Sequence, residues 1–185
     1  AEWYAEQNIE LVIDERVSEI HRSTKKITTA KDREFSYDYL VLATGSSAFV
    51  PPIKGVEKEG VFVYRTIEDL EGMLAYAAKL KEKNPNARAA VLGGESIGVN
   101  IHLSKATNQI LGDNAIVGLE FGEDDVLDVE MLVISAGIRP RDELGKTCDL
   151  KMGVRGGIIV DNKMQTSDEN IYAIGEIALY NQMIY

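Results

Sequence analysis

Four short stretches of this 185-residue chain have the residue types and spacing to hold a phosphorylated ligand. Ala43-Thr44-Gly45-Ser46 closes an apolar run with two small residues and a glycine. A glycine at that point lets backbone come close to a ligand at a strand's carboxyl end, where open α/β sheets bind. Ser135-Ala136-Gly137 is a second turn of the same kind, and proline follows each, at Pro51 and Pro140. Gly93-Gly94-Glu95-Ser96-Ile97-Gly98 opens directly from the apolar run Ala89–Leu92 and has the outline of a pyrophosphate-binding turn. Its middle position holds Glu95, so a Cβ and a negative charge stand where backbone should meet pyrophosphate. The fourth stretch, Thr166 to Glu176, passes through a short strand into Gly175-Glu176. Gly175 there admits a pyrophosphate region, and the Glu176 carboxylate can accept from a sugar or ribityl hydroxyl.

Other chemistries are poorly provided for. Cys148 is the only cysteine, which rules out an intramolecular disulfide, a CxxC redox pair and an iron–sulfur cluster held within the chain. A reducing, cytoplasmic location is therefore expected. His21 and His102 are the only histidines, so no zinc site is expected. No general acid or base is assigned. The formal net charge of −10 argues against a nucleic-acid partner, because phosphate binding needs a basic surface. No apolar run approaches about 18 residues, so no membrane span is expected. The first residue is Ala1 and no signal-like segment follows it, so the chain is expected to begin mid-protein.

The turns are carried by elements that recur. The stretch from Ile27 to Gly45 lies over that from Leu119 to Gly137 without a gap, an offset of 92. Each copy reads as a strand, a polar turn, a second strand, an acid, and a four-residue apolar strand ending small-small-Gly. Asn8–Leu11 and Asn100–Leu103 extend the match at the same offset. Strands are expected at Ile9–Ile13, Val17–His21, Lys26–Ala30, Glu34–Tyr37, Leu40–Ala43, Val61–Tyr64, Ala89–Leu92, Asn100–Leu103, Ala115–Phe121, Met131–Ser135, Gly157–Val160 and Ile171–Ala173. The apolar runs Leu40–Ala43 and Ala89–Leu92 fit strands buried in a parallel sheet. One long helix is expected from Thr66 to Lys83, with Thr66 as N-cap and Asp69 three residues on. Ile67, Leu70, Leu74, Ala77 and Leu80 follow at helical spacing, and Asn84-Pro85-Asn86 ends it.

Several of these stretches resemble the flavoprotein reductases built from two dinucleotide-binding domains. Within that group the chain is most similar to the FAD/NAD(P)H-binding module of the NAD(P)H-dependent nitrite reductase large subunit. The resemblance rests on Leu40–Pro52, Val61–Leu70, His102–Thr107, Met131–Leu144 and Ile171–Tyr185, and it covers nearly the whole chain. Glu176 carries weight, since most relatives have Asp after that glycine and the nitrite reductases resemble this chain in having Glu.

The resemblance implies an α/β fold: an incomplete pair of FAD/NAD(P)-binding Rossmann-like domains, strand-rich with few helices. Residues 1–65 with 138–185 would form a partial FAD-binding domain, and 66–137 a partial NAD(P)H-binding domain. Carried over by position, Val17, Thr44, Gly45, Arg65 and Glu176 would touch FAD, with Arg65 near the pyrophosphate. Gly93, Gly94, Gly137 and Gly175 are the remaining cofactor-binding candidates. The implied activity is FAD-dependent NAD(P)H oxidation, with electrons passed to siroheme and an iron–sulfur cluster in the same or a partner chain, a step of nitrate assimilation.

The resemblance also implies gaps. The glycine-rich turn that opens such a family is not found before Trp3. Ile97–His102 matches a region that normally lies well downstream of the second glycine turn. The intervening helix, strand and cofactor-selecting acid would be absent, so no tight NAD(P)H site is expected. The competing reading is a non-catalytic, truncated remnant with weak or no cofactor binding.

Overall fold

The computed structural model describes residues 2–93, 105–181 and 183–184. Along the chain run α1 (Glu2–Glu6), β1 (Val17–His21), β2 (Lys26–Thr29), β3 (Glu34–Ser36), β4 (Leu40–Leu42), β5 (Ser46–Ala48) and β6 (Val61–Val63). Then come α2 (Ile67–Lys83), β7 (Ala89–Leu92), β8 (Gln109–Leu111), β9 (Gly118–Gly122), β10 (Asp125–Asp128), β11 (Met131–Ile134) and β12 (Ile138–Pro140). α3 (Glu143–Thr147), β13 (Ile158–Ile159), β14 (Ile171–Ala173), β15 (Ala178–Tyr180) and β16 (Met183–Ile184) complete it. Two compact units result: Ala1–Ser46 with Pro140–Tyr185, and Ser47–Arg139.

Each unit is built on the repeated sequence. In the first, β1, β2 and β3 form an antiparallel sheet in chain order, with Ile20 opposite Ile27 and Ile27 opposite Phe35. In the second, β8, β9 and β10 do the same, with Ile110 opposite Leu119 and Leu127 opposite Leu119. The turns between the last two strands also match. Asp32 (φ 59°) and Asp124 (φ 61°) stand at the same repeat position, both left-handed, a conformation that Asp tolerates in tight turns.

The apolar strand that follows enters a parallel sheet in both units. β4 pairs with β14, with Leu40 opposite Ile171 and Leu42 opposite Ala173. β11 lies between β6 and β7, with Ile134 opposite both Val63 and Leu92. Central position explains why β11 is uniformly apolar: Met131, Leu132 and Ile134 are all buried. β4 departs from the double-sided burial its composition suggests. Leu42 is buried, but Val41 is 53% exposed, so one face of β4 is open.

Each unit has its own core. Ile20, Leu42, Leu150, Ile158, Ile171 and Ile177 pack in the first. Ile110, Ile116, Leu119, Val129, Leu132 and Ile134 pack in the second.

α2 begins where the sequence places it. The Thr66 side chain accepts from the Asp69 N–H, and the Asp69 carboxylate accepts from the Thr66 N–H, which satisfies two helix-end donors reciprocally. The packed face is Met73, Tyr76, Ala77 and Leu80, with Tyr76 set edge-on to Phe62 of β6 at 5.3 Å. Of the expected stripe, Ile67 and Leu74 are instead 73% and 61% exposed. Ile9–Ile13 also differs from expectation. It is not a strand; Ile9, Leu11 and Ile13 are exposed, between left-handed residues Asn8 and Asp14. Alternation alone cannot supply the partner that a strand needs. The Asn100–Leu103 expectation lies outside the described residues.

Candidate functional site

Most of the described candidate residues stand at the carboxyl ends of parallel strands, β4 and β14 in the first unit and β6, β11 and β7 in the second. In the first unit, β4 and β14 run side by side and release Ala43-Thr44-Gly45-Ser46 and Ile174-Gly175-Glu176 at the same end. The Ile174 N–H still donates to the Leu42 carbonyl at 3.0 Å, so the two chains separate only after that point. Gly45 (φ 65°) and Gly175 (φ 70°) then turn left-handed. A Cβ on either would meet no atom within 4 Å. The requirement for glycine is conformational, and open space lies in front of both turns.

Three hydrogen bonds fix this end. The Thr44 hydroxyl donates to the Arg141 carbonyl at 2.5 Å, while the Arg141 N–H donates to the Gly45 carbonyl at 2.9 Å. The Ser46 hydroxyl donates to Glu176 Oε2 at 2.7 Å. Ser46 is buried, and Glu176 is half-buried in the short 3₁₀ turn Gly175–Ile177, whose last residue, Ile177, is fully buried.

The segment before β14 is positioned by its own side chains. Thr166 Oγ1 accepts from the Asp168 N–H at 3.1 Å, and Asp168 Oδ1 accepts from the Asn170 N–H at 3.0 Å. Asp168 Oδ2 also takes Arg22 Nε at 2.7 Å. Burial works against ionising Asp168, but the Arg22 hydrogen bond, the Asn170 N–H and the Arg22 charge together hold its carboxyl below the ordinary aspartate range. Arg22 also donates to the Cys148 and Asp149 carbonyls, which lie at the end of α3. Cys148 itself is buried, and burial raises its thiol above the usual range. It is a core residue with no sign of a reactive thiolate.

In the second unit, the carboxyl ends of β6, β11 and β7 present Arg65, Gly137 and Gly93 respectively. Gly137 (φ 102°) has open space where a Cβ would stand. Gly93 (φ 85°) does not: a Cβ there would lie 2.6 Å from the Ser135 carbonyl oxygen. Glycine at 93 is required by the neighbouring strand's exit as well as by φ. Arg65 is exposed, and its N–H donates to Asp69 Oδ2 at 2.9 Å. Gly94 lies outside the described residues, as does Glu95.

Val17 heads β1 opposite Thr29, in the antiparallel sheet of the first unit and not in the sheet that carries Gly45 and Gly175. Among the described residues no cluster of metal-ligating side chains occurs, and no helix is long and apolar enough to cross a membrane.

No local pattern in the sequence marks Ser46 or Arg141 as partners of these turns. Ser46 stands next to Thr44-Gly45, but its partner is 130 residues away. Arg139 carries no local signal either. Its guanidinium lies 4.4 Å from the Phe49 ring, two residues beyond Gly137.

The large subunit of nitrite reductase [NAD(P)H] from Klebsiella oxytoca is 37% identical over 222 residues, covering all of this chain and 23% of that protein. The nitrite reductase (NADH) large subunit of Escherichia coli (strain K12) is 34% identical, covering 99% of this chain and 26% of its own length. The chain thus spans about a quarter of the length of these relatives. Both alignments run longer than the 185 residues of the chain, so each relative has residues opposite which this chain has none. Among solved structures, an NAD-dependent persulfide reductase from A. fulgidus superposes with a TM-score of 0.80 at 26% identity, covering 96% of this chain and 41% of that one. The pyridine nucleotide-disulphide oxidoreductase family matches residues 4–101 and 95–184, and the two matches meet across 95–101, where the sequence places its internal gap. With the Rossmann-like, strand-rich fold and a family match over nearly its whole length, the chain belongs to the pyridine nucleotide-disulphide oxidoreductase family.

Proposed function

We propose that this chain is part of a FAD-dependent NAD(P)H oxidoreductase that passes electrons from NAD(P)H through FAD to a further redox centre, as in nitrite reduction. The observation that carries the reading is the meeting of Thr44-Gly45 and Gly175-Glu176 at the carboxyl ends of adjacent parallel strands. Two left-handed glycines with open space before them let backbone approach a pyrophosphate. The Glu176 carboxylate, held by Ser46, is an acceptor suited to a ribityl or sugar hydroxyl. This donor and acceptor set fits a flavin dinucleotide.

In this reading Thr44, Gly45, Gly175 and Glu176 hold FAD, with Val17 of the same unit adding contacts. The first unit is then the FAD-binding portion and the second the NAD(P)H-binding portion. FAD supplies the chemistry when bound, taking a hydride from the nicotinamide and handing on electrons. The protein binds and orients it. Gly93, Gly94 and Gly137 would line the NAD(P)H side, whose site is incomplete. In this reading the electron acceptor is siroheme and an iron–sulfur cluster held outside these 185 residues, in the same or a partner chain, because their one cysteine cannot ligate such a centre. A place in nitrate assimilation goes with this assignment, supported by the name of a relative, an assimilatory nitrate reductase electron transfer subunit, and a cytoplasmic location is proposed with it.

A second reading is favoured by one observation: the alignments to relatives are longer than this chain. It holds that the polypeptide is a remnant that binds cofactor weakly or not at all. A visible spectrum of the purified protein separates the two. Flavin bands at close to one per chain support the reductase reading; a colourless protein that stays colourless with added FAD supports the remnant.

A further inference from the structure

We propose that Ser46 is a positioning residue for the flavin site, acting through Glu176. This rests on the reading of Gly175-Glu176 as a flavin-binding turn. A glutamate reaches its ligand through one more rotatable bond than an aspartate, so more side-chain freedom is lost when it is held. A partner that fixes the carboxylate before binding removes part of that cost.

Ser46 meets the requirement. Its hydroxyl donates to Glu176 Oε2 at 2.7 Å, the length of a charge-assisted bond. Ser46 is 4% exposed, so water does not compete freely for the hydroxyl. The backbone beneath both residues is also fixed. Gly45, just before Ser46, is bonded through its carbonyl to Arg141, and Ile177, just after Glu176, is fully buried. The bond therefore joins two anchored turns, and the carboxylate between them is the adjustable part.

The test is a thermodynamic cycle on the full chain, with FAD as the probe and quenching of flavin fluorescence as the readout. Ser46→Ala is expected to weaken FAD binding about tenfold, the loss of one hydrogen bond to a charged group. In a Glu176→Ala background the same substitution is expected to change binding little, because the carboxylate through which Ser46 acts is gone. Equal weakening in both backgrounds would mean that Ser46 acts independently of Glu176 and overturns the proposal, as would Ser46→Ala binding like the unaltered chain. Ser46→Thr and Ser46→Val, nearly equal in shape, isolate the hydroxyl: the Thr variant is expected to bind about tenfold more tightly, and equal binding overturns the proposal. Melting of each cofactor-free variant identifies any that has not folded. If the unaltered chain fails to bind FAD, the flavin reading itself fails, and this proposal falls with it.

Discussion

Glycine does two different jobs at the strand exits, and substitution separates them. Gly93→Ala must place a Cβ 2.6 Å from the Ser135 carbonyl oxygen on a left-handed backbone, so a melting experiment should show a loss of about 2–3 kcal/mol. Gly175→Ala meets no atom, so its structural cost is the backbone conformation alone, about 1 kcal/mol. Its larger effect is expected in FAD binding, because the methyl would project into the space assigned to ligand. Asp168 supplies a test of the ion pair that holds the segment before β14. Its carboxyl ionises more readily in the folded chain than in the unfolded one. Its contribution is therefore complete above the ordinary aspartate range near pH 3.9 and fades as pH falls through its lower folded value. Asp168→Asn should cost about 1–3 kcal/mol at neutral pH, and the gap to the unaltered chain should narrow in melts taken below about pH 4. A gap that does not depend on pH would mean that the charge of Asp168 is not what matters.

The elements were legible where their signals are local. The capping pair Thr66 and Asp69 marked the start of α2 to the residue, because the bonds that satisfy a helix end lie within one turn of it. Thr66→Ala is expected to lower stability by about 1 kcal/mol, read as a loss of helical circular dichroism at lower temperature. The face on which α2 packs was not legible in the same way. Helical spacing offered Ile67 and Leu74, but the structure buries Met73 and leaves those two in the open. Several apolar sets share a helical period, and the neighbouring strand selects among them. The short strands β5, β8, β12 and β15 were missed for a related reason. Two to three residues carry no periodicity, and only a partner makes them a strand.

At the scale of the whole molecule the repeat governs both organisation and expectation. Two units, each with its own core, both carry a three-stranded antiparallel sheet followed by an apolar strand in a parallel pairing. The second unit is expected to bind NADH more weakly than micromolar in calorimetric titration, since Glu95 replaces the glycine that would meet pyrophosphate. Micromolar binding by this chain would show that its NAD(P)H site is functional as it stands. The residues alone determined the repeat, the strand-rich α/β class, the family and the glycines that end each apolar run, because all of these are written as local pattern at fixed spacing. Tertiary structure decided which turns stand beside one another. Pairing β4 with β14 brings Gly45 and Ser46 to Gly175 and Glu176 from opposite ends of the chain. No stretch of sequence contains both partners, and a carboxylate is positioned by what it touches, not by what precedes it.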